Sequence, residues 1–136
     1  MRFVLDTSAF SAAMRREPKL TAHLKNLKPG DVVTVPPVVA EIQYGLERLD
    51  NLSRKFQLLN HEKERWLSVI KVLPWTPEAS VHFGEHKATL EKKGQLIDDF
   101  DIAIGAIALA YDCGVITNNV QHFKRIHNLE VQTWNR

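Results

Sequence analysis

Short apolar runs alternate with amphipathic stretches along this chain. Arg2 to Asp6 contains Phe3, Val4 and Leu5 without interruption, the pattern of a strand buried on both faces. A helix is predicted from around Ser8. Pro18 opens another helical stretch with Leu20, Leu24 and Leu27 on one stripe, and Pro29-Gly30-Asp31 is a turn. Val32 to Val35 is a second strand. Pro36-Pro37 follows, with Pro37 suited to a first helical position, and the next helix runs through Glu41, Ile42, Tyr44 and Gly45. Residues 51–68 predict a long polar helix marked by Leu52, Phe56, Leu59 and Leu67. Val69 to Leu73 is a third strand. Thr76-Pro77-Glu78 combines a cap, a proline and a first-turn acid, and Lys92-Lys93-Gly94 is the matching stop. Phe100 to Cys113 is an apolar, alanine-rich helix ending at Gly114. Val115 to Thr117 and Leu129 to Trp134 are the last strands.

Strands alternating with helices imply parallel βαβ units with right-handed crossovers. No repeat, low-complexity tract or linker interrupts the alternation. The expected fold is a single α/β domain over residues 1–136, three-layer α/β/α, with a mainly parallel twisted sheet.

Three carboxylates stand out on this plan. Asp6 ends the first apolar run, and Glu41 and Asp101 are read as lying just past or within strand-to-helix junctions. Parallel α/β sheets place their chemistry at the carboxyl ends of strands. Three carboxylates meeting there repel one another, and a divalent cation relieves the repulsion. Hard oxygen donors suit Mg²⁺ or Mn²⁺. Each acid also has an ordinary structural use. Asp6 can cap the helix after it. Glu41, read as near a helix start, is favoured by the helix dipole. Asp101 stands between Phe100 and Ile102 in an apolar helix, so it faces a cavity or disturbs the packing. Asp98 and Asp99 can cap that helix, and Asp98 can share a face with Asp101.

Composition narrows the setting. The 136 residues suffice for one domain with a sizeable core, and 44% hydrophobic with 25% charged residues is ordinary for a globular protein. No run of about 18 apolar residues suggests a membrane span, and the N-terminus leads straight into a strand, unlike a signal peptide. Cys113 is the single cysteine, which rules out an internal disulfide. A cytoplasmic protein is the expectation. The net charge is +2, and with Asp6, Glu41 and Asp101 grouped in one site the remaining surface is more basic than that figure. A basic surface around an acidic pocket suits a polyanion bound through a bridging metal. The six histidines show no pairing with Asp6, so a metal-free acid–base site is not expected. His82 and His86, four apart, read as a solvent-facing helix pair or a transition-metal pair.

The segments Leu5-Asp6-Thr7-Ser8, Ala40-Glu41-Ile42-Gln43-Tyr44-Gly45, Asp101-Ile102-Ala103-Ile104-Gly105-Ala106 and Ile116-Thr117-Asn118-Asn119 resemble PIN-domain ribonucleases. More narrowly they resemble the VapC-type toxins of bacterial toxin–antitoxin pairs. Gly114 to Trp134, with Phe123, Leu129 and Trp134, is similar too, so the resemblance covers nearly the whole chain. Each motif is short, and the four in order carry it. It implies a Mg²⁺-dependent endoribonuclease that cleaves structured RNA, transfer RNA first and ribosomal RNA next. Such a toxin inhibits translation unless a small VapB-like antitoxin binds it, and it forms a homodimer. Asp6, Glu41 and Asp101 would be the carboxylates of the metal site, with Thr7 and Thr117 as supporting polar groups. Many relatives carry a fourth acid where Asn119 stands here. Asparagine can ligate Mg²⁺ through its amide oxygen or through water but brings no charge, which argues against a tightly held second ion. Asn119 and Asp98 are additional candidate ligands. Pro36, Pro37 and Val38 replace the family's usual polar residues before the glutamate.

Cations near the candidate RNA surface are Arg15, Arg16, Lys19, Lys124 and Arg125, of which Arg15 and Arg16 follow the catalytic strand most closely. Trp75 and Trp134 are candidates for base stacking or for core packing, the commoner fate. Phe56, Leu59, Trp66 and Leu67 form an apolar stripe that serves the core, a dimer interface or an antitoxin groove. The alternative function is a non-catalytic nucleic-acid-binding or regulatory domain that kept the fold, with Asn119 as its support. A haloacid-dehalogenase-type phosphotransferase would need a second Asp where Ser8 stands. A receiver-like domain lacks the Glu41 spacing.

Overall fold

The unbroken apolar run at the N-terminus becomes β1 (Phe3–Leu5), buried throughout, in a computed structural model that describes residues 1–135. A strand with no solvent-facing side belongs in mid-sheet. There β1 lies, between β2 (Val32–Thr34) and β4 (Gly114–Ile116), with β3 (Lys71–Val72) and β5 (Val131–Gln132) at the edges. The order is β3-β2-β1-β4-β5 and every pairing is parallel. Val4 is in register with Val33 on one side and Val115 on the other.

The connections contain α1 (Thr7–Met14), α2 (Pro18–Leu24), α3 (Pro36–Glu47), α4 (Arg54–Val69), α5 (Pro77–Lys92), α6 (Asp99–Ala110) and α7 (Val120–Phe123). Right-handed crossovers put the connections stepping out to β3 on one face and those reaching β4 and β5 on the other. The three-layer α/β/α arrangement expected from the sequence results. The chain reverses its direction of travel at β1, because the connection from β3 returns past β1 to β4. A topological switch point therefore lies at the carboxyl ends of β1 and β4, where open parallel sheets form their binding crevices.

Several boundaries differ from the sequence reading for identifiable reasons. α1 starts at Thr7 rather than Ser8 because Asp6 is itself the cap, its carboxylate accepting the Ala9 N–H at 2.8 Å. α4 spans Arg54–Val69 rather than 51–68, since the Ser53 hydroxyl caps it, and Leu52 lies outside the helix and is exposed. Val69 to Leu73 shortens to a two-residue edge strand because Val69 closes α4. Leu129 to Trp134 likewise shortens to Val131–Gln132. α5 stops as expected, with Gly94 at φ +65°, the left-handed geometry glycine adopts without strain. α6 is buried on nearly all sides from Ile102 to Ala108, which explains its uniformly apolar sequence. A Cβ at Gly105 would meet Ile126 Cδ1 at 2.5 Å, so any larger residue there would have to displace the Ile126 side chain that packs on α6 after α7.

The stripe on α4 is largely core. Phe56, Leu59, Trp66 and Leu67 pack against the buried cluster, and Trp66 Nε1 donates to the Ala13 carbonyl. On the same helix Glu62 is buried and accepts four hydrogen bonds, two each from the Arg16 and Arg65 guanidinium groups. Those donors hold its carboxyl at about 2, well below the usual range. Arg16, at φ +54°, is thereby used to tie the α1–α2 corner to α4.

Candidate active site: an acidic cleft at the switch point

The ends of β1 and β4, with α3, α6 and α7, bring polar side chains together at the carboxyl edge of the sheet. Asp6 follows β1 directly. Thr117 follows β4, and Asn119 begins α7 just beyond it. Glu41 comes from α3 after β2, but in the middle of the helix rather than near its start, so the helix dipole does not stabilise it. Asp101 does not follow a strand, as the sequence reading had it. It lies in the first turn of α6, which is preceded by a loop from α5. A helix feeding a parallel strand runs antiparallel to it, so the start of α6 stands beside the ends of β1 and β4.

Asp6, Glu41, Asp98 and Asp101 line one open cleft of about 590 Å³, together with Thr7, Ser8, Asn119 and His122. Asp6 is almost fully buried at its floor. Its Oδ1 accepts from the Ser8 hydroxyl at 2.7 Å and from the Ala9 N–H, and its Oδ2 accepts from the Thr117 hydroxyl at 2.5 Å. Asp6 is thus both helix cap and cleft residue. Thr7 donates to Glu41 Oε1, fixing that carboxylate across the cleft. Asp98 caps α6 by accepting the Phe100 N–H and still faces the cleft.

Electrostatics record how near these acids are. Burial pushes the Asp6 carboxyl up, and Glu41 adds to this, against the hydrogen bonds from Thr117, Ala9 and Ser8. Asp101 is pushed up to about 6, first by burial, then by the charges of Asp6, Asp98 and Glu41, with His122 pulling the other way. Among the described residues Asp101 accepts no hydrogen bond, and His122 Nδ1 stands 3.7 Å from its Oδ2. The same ring nitrogen is 3.1 Å from Asn119 Nδ2.

The donor chemistry fits a hard divalent cation. Oxygens dominate, their charges are unbalanced, and among the described residues no hydrogen-bond donor reaches Asp101, with His122 Nδ1 at 3.7 Å. The positions are looser than the chemistry. Among the described residues no three His, Cys, Asp or Glu side chains form a ready-made metal cage. Binding therefore requires side chains to turn toward a common point.

Of the supporting groups, Thr7 and Thr117 are where the sequence placed them. Arg15 lines the cleft, held by Ser11 at 2.8 Å and Glu17 at 2.9 Å. Arg16 does not reach it, because Glu62 takes its guanidinium elsewhere. Trp134 is buried yet edges the cleft, and Trp75 is away from it and partly exposed. His122 was missed by the sequence reading. The signal available was its place three residues after Asn119, on the first turn of a helix opening at a strand end.

A model of the family described as PIN domain matches residues 3–129. The chain belongs to the PIN domain family. Ribonuclease VapC2 of Haemophilus influenzae is 30% identical to it over 134 residues, spanning 98% of both proteins. The tRNA(fMet)-specific endonuclease VapC of Shigella flexneri is 26% identical over 134 residues, again 98% of both. Among solved structures, VapBC2 from Rickettsia felis bound to a DNA fragment from its promoter matches with TM-score 0.87 and 27% identity, covering 99% of this chain and 100% of that one.

This PIN domain should be destabilised by its own acids when no cation is present. Asp101 releases its proton near 3.8 when unfolded and near 6 when folded, so the penalty is absent below about pH 4 and complete above about pH 6. Asp101→Asn should raise the unfolding free energy in EDTA at pH 7.5 by at most ~3 kcal/mol. The gain should vanish at pH 4. Urea melts of both proteins at the two pH values check this, and a less stable variant at pH 7.5 would contradict it.

Proposed function

We propose that this PIN domain is a divalent-metal-dependent endoribonuclease, a VapC-type toxin that cleaves structured RNA and is restrained by a small VapB-like antitoxin. The observation that carries the reading is the meeting of Asp6, Glu41 and Asp101, from three separate elements, in one cleft at the sheet's switch point. The ribonuclease and tRNA endonuclease names of its relatives support the reaction class and make transfer RNA the first substrate to test. The working unit is a cytoplasmic homodimer on this reading.

Asp6, Glu41 and Asp101 would hold Mg²⁺ or Mn²⁺, with the Asn119 amide oxygen and Asp98 as additional donors. When bound, such an ion offsets charge on the scissile phosphate and acidifies a water. The chain's own residues prepare the site. Thr117 and Ser8 lock the Asp6 carboxylate from both sides, and Thr7 sets the orientation of Glu41. Arg15, the one Arg or Lys among the described cleft residues, is positioned to meet a backbone phosphate. Asn119 in place of a fourth acid lowers the negative charge of the cleft. It is also the feature that favours a non-catalytic RNA-binding domain as the second reading.

Purified protein should cut tRNA with Mg²⁺ and not with EDTA, and Asp6→Asn should lose cleavage by at least ~100-fold, about 2.7 kcal/mol of barrier. Gel mapping of RNA ends reads the outcome. Equal cleavage by Asp6→Asn would overturn the assignment, and tight binding without cleavage at any Mg²⁺ or Mn²⁺ concentration would establish the second reading.

An antitoxin segment has a route to the acids. A groove of about 340 Å³ between α1, α3 and α4 is lined by Met14, Ile42, Leu46, Leu49 and Leu59, and it shares Thr7, Ser11, Arg15 and Glu41 with the cleft. An apolar segment lying there can present an Arg or Lys to the carboxylates. Leu59→Glu should weaken antitoxin binding by ~10-fold or more while the unbound protein still cleaves RNA. Unchanged affinity in calorimetry would move the interface away from this groove.

A further inference from the structure

His82 and His86 stand one turn apart on α5, and neither lines the acidic cleft. α5 packs along α6, and both histidines are half-buried on one flank of it. Phe83 and Lys87 lie about 100° further round the helix, so the pair is on a different side from the contact of Phe83 with Trp75. The two imidazoles have centroids 6.0 Å apart and planes 26° from parallel. Glu78, one turn before His82, brings its Oε1 to 3.9 Å from His82 Nε2. Hydrogen bonds to imidazole nitrogens among the described residues go to His23 and His122, not to this pair.

Ordinary packing does not account for the arrangement. A histidine partly withdrawn from water usually satisfies a ring nitrogen with a carbonyl or carboxylate. Here the nearest carboxylate is beyond hydrogen-bond reach. Two imidazolium charges this close repel each other, which favours neutral rings. Burial holds His86 below its ordinary value, His82 and His127 add to this, and Glu85 opposes them. A neutral imidazole keeps a lone pair on one nitrogen, and that lone pair is what a metal ion binds. Histidines at i and i+4 put two rings on one face of a helix, within reach of a single ion. His82-Phe83-Gly84-Glu85-His86 has the H-x-x-E-H spacing of helical zinc ligands. Among the described residues no third His, Cys, Asp or Glu completes a ready-made cage with the pair. Glu78 is exposed, so its carboxylate can turn in from one helical turn away.

We propose that His82 and His86 form a binding site for a late first-row divalent cation of the zinc or nickel class, with Glu78 turning in as the third ligand and water completing the shell. The donor chemistry separates this site from the acidic cleft. The cleft offers carboxylate and amide oxygens, which suit Mg²⁺, whereas the flank of α5 offers imidazole nitrogens, which suit zinc, nickel and copper. The site does not depend on the ribonuclease reading, because it shares no residue with the cleft.

Calorimetric titration of the tag-free protein with Zn²⁺, in excess Mg²⁺ to occupy the cleft, tests the site. One Zn²⁺ should bind per chain. His82→Asn and His86→Asn should each weaken it by ~10-fold or more, Glu78→Gln by less, and Asp6→Asn should bind like the wild type. Cleavage of RNA in Mg²⁺ should be unchanged in His82→Asn. Circular dichroism in EDTA checks that each variant is folded. Imidazole NMR of the wild type locates the ion without any substitution: Ni²⁺ below one equivalent should broaden His82 and His86 before His23, His61, His122 and His127. Zn²⁺ affinity that survives both histidine substitutions would overturn the proposal. So would broadening led by His122, which would put the ion in the acidic cleft, or the absence of any Zn²⁺ binding by the wild type.

Discussion

Like-charge repulsion at one edge of a parallel sheet is the constraint around which this structure is arranged. Asp6, Glu41, Asp98 and Asp101 share a cleft, and two of them are held above the usual carboxyl range by burial and by one another. A fold tolerates such a concentration of charge only where something else gains from it. Here the cost is offset locally by hydroxyls, since Thr117, Ser8 and Thr7 each donate to an acid. The remainder is left open toward solvent, where a cation can enter.

The supporting structure keeps the acids in place without neutralising them. β1 is fixed between β2 and β4, so Asp6 has one position, and Thr117 reaches it from the neighbouring strand end. The buried Glu62 shows the contrast. Two guanidinium groups surround it, and its carboxyl is driven down to about 2, the reverse of Asp101. Charge in this protein is satisfied at the α1–α2–α4 corner and left unsatisfied at the switch point. That difference separates a structural ion pair from a site.

Much of this was legible in the sequence. Asp6 closing an apolar run, with Thr7 and Ser8 after it, located the cleft. The alternation of strands and helices, with Gly94 and the prolines as punctuation, located most of the layers. What could not be read depends on contacts between distant residues. Arg16 looked as available as Arg15, and only the packing of α4 against α1 shows that Glu62 captures it. The stripe on α4 looked like surplus apolar surface, but Trp66 and Phe56 face the core. Asp101 was read as lying just past or within a strand-to-helix junction, whereas it arrives through a loop after α5. The exposure of Tyr44 and Phe100 had no signature in the sequence, since aromatic residues in apolar helices usually pack inward.

The account treats the acidic cleft as a cation site rather than a structural accident. The most direct measurement is the titration of the Asp101 carboxyl carbon by NMR, with and without saturating Mg²⁺. The midpoint should lie near 6 without metal and fall below the ordinary 3.8 with it. A midpoint near 6 that Mg²⁺ leaves unmoved, or one near 4 in both conditions, would contradict it.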